Sequence, residues 1–310
     1  MRTTLLAVMF LCLAACRSPL PTASATAPTQ RTWDLPPGVK SLPVNGYDMA
    51  YIEQGSGVPV VLIPGAGADY RFFGAQMGPF AQKYRVISVS LRHFYPEPWN
   101  GEGEFSLNQH ADDLITFIRQ LKAGPVHLVG HSRGGTLALY VAKAAPELVR
   151  TLSLSEPGSG MHAFMPASST SSAGEERRTL YREMAEKFKR GDKDAGLIAF
   201  ATFVNGPGAW EAMSESARQW YRDNAWTFIA PDNEGNHWAP YTCEDAQRIE
   251  APVLLLRSEK ITPSMSQVQA NLLPCLKHAE QVRIMNSSHS MPRINPSAFN
   301  AAVLAFIDAH

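Results

Sequence analysis

The chain has 310 residues, and its 28 Lys plus Arg are balanced by 28 Asp plus Glu. That length allows one large domain or two modest ones, with ample core. Zero formal net charge and a mixed surface argue against a nucleic-acid partner, which needs a basic face to offset phosphates.

At the front, Arg2 precedes an apolar run from Leu5 to Ala15. The run is too short to span a bilayer and has the shape of a signal-peptide core, so residues 1–15 are expected to be removed. It ends Leu13-Ala14-Ala15-Cys16, which resembles the lipobox of bacterial lipoproteins. The resemblance implies that Cys16 is lipidated and becomes the mature N-terminus; an ordinary small-residue cleavage site is the alternative. Arg17 to Gln30 is rich in Pro, Ser, Thr and Ala. Such a segment buries too little to offset its ordering entropy, so residues 16–40 read as a lipidated end and flexible linker. The expected location is therefore the bacterial cell envelope, with the body lipid-anchored to a membrane in the periplasm or outside the cell. Cys12 leaves with the signal peptide, and Cys243 and Cys275 remain in the body. They show no zinc-type spacing, and in an oxidising compartment they either bridge or stay as buried thiols.

The body opens with Asn45-Gly46 between two apolar stretches within residues 41–53, a strong hairpin signal. Val58 to Ile63 is a continuous apolar run, as expected of a strand covered on both faces. Pro64-Gly65-Ala66-Gly67 follows; Tyr70 stands where a dinucleotide fingerprint needs its third glycine, which sets that reading aside. A helix over 71–82 leads to a strand over 84–91, and then comes a Pro/Gly/Trp loop. Ser106 and Gln109 form a capping-box pattern before Ala111, Leu114, Ile115, Ile118 and Leu121 at helical spacing. Gly124-Pro125 ends that helix and delivers the chain to the apolar run 126–129.

That run leads into Gly130-His131-Ser132-Arg133-Gly134, followed by a helix-forming segment, Thr136 to Ala145. A serine on a sharp strand-to-helix turn needs small neighbours, and Gly130 and Gly134 supply them. The next strand, 148–154, ends Ser155-Glu156-Pro157. From Gly158 to Thr242 the strand–helix alternation stops; Leu180, Met184 and Phe188 give one apolar helix face, and Trp210, Trp220, Trp226 and Trp238 lie here. Alternation resumes with a strand over 251–256, a helix over 264–273 and a strand over 281–285. Ser288-His289 then precedes Asn295-Pro296, an N-cap and first-turn pair opening a last helix with Phe299, Val303, Phe306 and Ile307 on its buried stripe. Such alternation predicts an α/β fold with a mostly parallel sheet, helices on both faces and a ligand site outside the carboxyl ends of the strands.

From Val44 to Ala309 the chain resembles the α/β-hydrolase fold family. The likeness rests on Pro64-Gly65-Ala66-Gly67, on Gly130 to Gly134 as a nucleophile elbow, and on Ser288-His289 before the last helix. It implies an eight-stranded sheet, a core over 41–157 and 243–310, and a helical cap inserted over 158–242. It further implies Ser132 as nucleophile, His289 as general base, and the backbone N–H groups of Ala66 and Arg133 as an oxyanion hole. His131 is expected to pack or to line the site. The family commonly carries its acid after the seventh strand, where this chain reads Arg257-Ser258-Glu259-Lys260-Ile261. Some members carry it after the sixth, where Glu156 stands, so Glu156 is favoured and Glu259 is the alternative acid.

A serine rather than an aspartate at the elbow points to acyl transfer. The reading is thus a serine hydrolase acting on a small to medium, partly apolar acyl substrate, with the tryptophans motivating the apolar part, although aromatic residues in an insertion more often make a small core of its own. It implies neither a metal nor an organic cofactor. Hydrolysis of a carbon–carbon bond by the same triad and a non-catalytic binding lipoprotein are its alternatives, because fold alone does not fix function.

Overall fold

Asn45 and Gly46, both at positive φ (45° and 75°), turn strand β1 (Lys40–Val44) back onto β2 (Tyr47–Gln54) as the Asn-Gly signal predicts. In the computed structural model, the described residues are 33–158, 161–164, 179–230 and 240–310. The expected signal peptide, Cys16, most of the expected linker and Trp238 lie outside them. The remaining strands are β3 (Pro59–Ile63), β4 (Arg85–Val89), β5 (Val126–His131), β6 (Val149–Ser155), β7 (Val253–Ser258) and β8 (Ala279–Ile284). They form one eight-stranded sheet in the order β1-β2-β4-β3-β5-β6-β7-β8, antiparallel at β1/β2 and β2/β4 and parallel elsewhere.

Helices cover both faces. Leu114 and Phe117 of α2 (Leu107–Leu121) and Leu137 and Val141 of α3 (Arg133–Ala144) pack with Val61 and Ile63 on one side. Met77 and Phe80 of α1 (Gly74–Phe80) and Phe299 and Val303 of the C-terminal helix pack with Val60 and Leu62 on the other. Adjacent β3 residues thus serve opposite cores, which is why the strand reads as an unbroken apolar run. Each such side chain taken fully out of water contributes roughly 1.5–3 kcal/mol. The capping-box pattern forms only in half: Ser106 Oγ accepts from Gln109 N–H at 3.1 Å, whereas Gln109 Oε1 has no partner among the described residues.

Between β6 and β7 the described residues contain α4 (helical residues 179–189), α5 (Lys193–Asn205), α6 (Glu215–Asp223), α7 (Trp226–Ile229) and α8 (Cys243–Gln247). Met184 and Phe188 of α4, Phe200 and Val204 of α5, Trp210, Tyr221 and Phe228 make a small core of their own. This inserted layer docks on the loop after β3. Gly67 (φ 67°) meets the Phe228 ring so closely that a Cβ there would lie 1.9 Å from it. Buried Asp69 accepts from Asn224 Nδ2 at 2.7 Å, Asn224 Oδ1 accepts from Tyr95 N–H at 2.7 Å, and Arg71 pairs with Asp69 (2.6 Å) and Asp223 (2.9 Å). Cys243 and Cys275 form a disulfide across 32 positions of chain. Restricting a loop of that length in the unfolded state is worth roughly 3–4 kcal/mol. The chain closes with α9 (Pro263–Leu272), a short α10 (Met291–Ile294) and α11 (Pro296–Ala309), whose first turn is capped by Asn295 through Ala298 N–H at 3.2 Å.

Candidate active site

Ser132 sits between β5 and α3 with φ 52° and ψ −117°, outside the conformations that a residue bearing a Cβ ordinarily takes. The surroundings hold it there. Its N–H donates to the Ser155 carbonyl at the end of β6 (2.8 Å), and its own carbonyl accepts from Gly135 N–H (3.0 Å) as α3 begins. The flanking glycines are obligatory: a Cβ on Gly130 would lie 2.4 Å from the Gly134 carbonyl oxygen, and one on Gly134 would lie 2.1 Å from that of Ile63. The sequence reading of a tight turn with no room beside the serine therefore holds in atomic detail.

His289 stands in the loop between β8 and α10, buried at 4% exposure. Its Nδ1 lies 2.7 Å from Glu156 Oε2. Glu156 follows β6 directly, has φ 46° and is fully buried. Its other oxygen accepts from Ser258 N–H at 2.8 Å and Ser258 Oγ at 2.5 Å, both at the end of the adjacent strand β7. Burial alone would raise the carboxyl pKa, but the hydrogen bonds from His289 and Ser258 outweigh it and hold the group below its ordinary value of 4.5. Glu156 is thus an anion at neutral pH, and its partner nitrogen on His289 must carry the proton.

Glu259 goes elsewhere. Strand β7 runs to Ser258, two residues beyond the end that the apolar pattern suggests, so Glu259 falls in the turn that follows. Its Oε2 accepts from Asn286 N–H at 2.6 Å, bracing the chain after β8. Of the two carboxylates weighed from the sequence, Glu156 is the one bonded to the histidine.

Ser132 and His289 line one cleft of about 270 Å³, counting its open mouth. Gly65, Ala66, Ala68 and Phe72 form its wall from the loop after β3, and Phe200, Val204 and Tyr221 close it from the inserted helices. Ala66 thus lies in the cleft beside Ser132. Arg133 is the first residue of α3, so its N–H belongs to the end of a helix where donors point outward and the dipole favours negative charge. The Arg133 side chain turns the other way, into the core, where Nη1 donates to His110 Nδ1 at 2.8 Å. Burial, followed by the Arg133 charge, holds the His110 pKa well below its usual value, so this ring stays neutral and accepts.

His131 both packs and lines the cleft. Its ring stacks on Phe72 at 4.8 Å, and its Nε2–H donates to the His289 carbonyl at 2.9 Å. Burial, then the neighbouring His289, depresses its pKa well below 6.5, so it is no second proton acceptor at neutral pH but a prop under the His289 backbone.

The tryptophans follow the commoner reading of aromatics in an insertion: among the described residues none of them lines the cleft, whose apolar walls include Phe72, Phe200 and Val204. Trp210 belongs to the core of the inserted layer, and Trp220 lies between the guanidinium groups of Arg71 (5.8 Å) and Arg293 (4.8 Å). Ser258, Phe200, Val204 and Tyr221 escaped sequence reasoning. Only Ser258 left a signal, its place at the carboxyl end of the strand next to β6. Among the described residues, no three His, Cys, Asp or Glu side chains are grouped to hold a metal ion, and no helix is long and apolar enough to cross a membrane.

Residues 60–302 match the model of the alpha/beta hydrolase family. The chain is 25% identical over 271 residues to (E)-2-((N-methylformamido)methylene)succinate hydrolase of Acinetobacter baylyi, covering 85% of this chain and 95% of the relative. A thermophilic esterase from Thermogutta terrifontis shares the fold with a TM-score of 0.69 at 20% identity, over 87% of this chain and 97% of its own. An enol-lactonase from Burkholderia xenovorans does so with a TM-score of 0.69 at 17% identity, over 86% and 98%.

Proposed function

Because the chain belongs to the alpha/beta hydrolase family, we propose that it is a serine hydrolase cleaving a small to medium, partly apolar carboxylic ester or similar acyl compound. The observation that carries this reading is the 2.7 Å bond between His289 Nδ1 and a buried Glu156, with His289 and the strained Ser132 in one cleft. Ser132 Oγ attacks the acyl carbon while His289 Nε2 takes its proton. The oxyanion that forms is met by the N–H groups of Ala66 and Arg133, which are fixed before the reaction and need no charge of their own. Collapse expels the alcohol, which receives the proton from His289, and leaves Ser132 acylated. Water, deprotonated by the same imidazole, then releases the acid and restores Ser132. Glu156 keeps Nδ1 protonated and offsets the imidazolium charge throughout.

The small cleft with Phe72, Phe200 and Val204 as walls supports an acyl group of modest length. The esterase, the lactonase and the succinate-derivative hydrolase to which the chain is similar are consistent with acyl chemistry at such a site. Across p-nitrophenyl esters of graded length, turnover is expected to be highest for the short acyl chains and to fall for long ones. A folded protein that hydrolyses no member of the series would sink the assignment.

The N-terminal pattern supports a second element of this reading, a lipid anchor on Cys16 that holds the hydrolase to a bacterial membrane. Cys16→Ala is expected to move the protein from the membrane fraction to the soluble fraction; unchanged fractionation would refute the anchor.

A further inference from the structure

The loop that carries His289 is held from two sides. From the sheet, Glu156 fixes its ring and His131 its carbonyl. From the inserted layer, Asn205, the last residue of α5, reaches the residues immediately before and after it. Asn205 Oδ1 accepts from Ser290 N–H at 2.9 Å and from Ser288 Oγ at 3.0 Å, and Nδ2 donates to Ser290 Oγ at 3.2 Å. One amide side chain therefore uses both of its ends to clamp the tripeptide 288–290.

The same helix forms part of the cleft. Phe200 and Val204 line it, while Asn205 does not, and Gly206 (φ 93°) ends α5 directly after the clamp. A helix moves as a unit, so whatever displaces Phe200 and Val204 also displaces Asn205. Loss of its Oδ1 would leave the buried Ser290 N–H without its acceptor, and the loop would have to shift to satisfy it.

We propose that Asn205 is a positioning residue for the general base: it aligns His289 with Ser132, and it couples that alignment to the docking of α5 on the cleft. The proposal rests on the Ser132–His289–Glu156 reading. An acyl group seated against Phe200 and Val204 and the placement of the imidazole are then governed by one element. A well-fitting substrate therefore gains in kcat as well as in binding.

The test compares wild type, Asn205→Ala and Asn205→Asp in steady-state ester hydrolysis, in the rate of inactivation by a fluorophosphonate, and in thermal melting. In Asn205→Ala, kcat and the inactivation rate are expected to fall about 10- to 100-fold, the effect of moving a catalytic group by about an ångström. KM should change much less than kcat, because the side chains that seat the acyl group, Phe72, Phe200 and Val204, are themselves unaltered. Asn205→Asp keeps an oxygen that accepts the same two bonds and should bring kcat back to within about threefold of wild type. An Asn205→Ala protein with unaltered kcat and inactivation rate would overturn the proposal. So would equal losses in both variants that follow a lowered melting temperature, since the role would then be merely structural. Wild type inert toward both reagents would instead bring down the serine-hydrolase reading itself, an outcome visible without either variant.

Discussion

Ser132→Ala is expected to lower kcat on the preferred p-nitrophenyl ester by on the order of 10⁵- to 10⁶-fold, with KM changed little. The substitution removes only the hydroxyl oxygen that is proposed to attack the acyl carbon. The Cβ that the elbow already accommodates at φ 52° is retained, and the bonds that hold the turn, Ser132 N–H to Ser155 and Gly135 N–H to the Ser132 carbonyl, are made by backbone atoms. The melting temperature should therefore stay close to that of wild type. Residual turnover belongs to the oxyanion donors and to substrate placement, which survive the change. Steady-state kinetics on both proteins check this expectation. A variant retaining a tenth or so of wild-type kcat would place the chemistry on another group.

The second large effect is expected at the acid. Glu156→Gln should lower kcat by about 10⁴-fold, whereas Glu259→Gln should stay within a few-fold of wild type. The reason is the arrangement of donors around the Glu156 carboxylate. Its two oxygens accept from His289 Nδ1–H and from Ser258 N–H and Oγ–H. A glutamine offers one oxygen and one amide nitrogen. If the oxygen stays with the Ser258 N–H, which has no other way to turn, the amide donates to His289 Nδ1 and forces the proton onto Nε2. That tautomer cannot accept the Ser132 proton. Glu259, by contrast, braces only the Asn286 N–H outside the cleft. A larger loss for Glu259→Gln than for Glu156→Gln would reverse the assignment.

The same carboxylate ties stability to pH. Its folded-state pKa lies below the unfolded value, so it contributes stability above the unfolded pKa and loses that contribution as pH falls through the folded one. Wild type should accordingly lose melting temperature in the acid range below about pH 4.5, more steeply than Glu156→Gln, which has no such proton to bind.

Much of the site was legible in the sequence because it is written in backbone constraints. The turn at Ser132 leaves no room for a Cβ on either side, so glycine must stand at 130 and 134, and a pattern reader sees both. Asn45-Gly46 and Asn295-Pro296 are legible for the same reason, each being a residue pair demanded by a local conformation. The acid was harder. Glu156 and Glu259 both stand near strand ends, and only the extra length of β7 carries the second one past the sheet edge and into a turn. Ser258, which solvates the buried carboxylate, was hidden by the same two residues of register.

The side of the cleft supplied by the inserted helices was not legible. Phe200, Val204, Tyr221 and Asn205 reach the site because the inserted helices dock on the loop after β3, through Asp69, Asn224, Arg71 and Phe228. No periodicity within α5 distinguishes a side chain facing its own small core from one facing substrate. Composition left two places open for the tryptophans, and Trp210 takes the core of the inserted layer while Trp220 lies near the guanidinium groups of Arg71 and Arg293. Bulk and polarity say that a residue will be covered, not by what.

Every kinetic expectation above depends on Ser132 acting as a nucleophile activated by His289. Intact-mass and peptide mapping after reaction with a fluorophosphonate measures it directly. One adduct per chain is expected, located on Ser132 and absent from Ser132→Ala. A folded wild-type chain whose mass does not change, or an adduct carried by another residue, would contradict it.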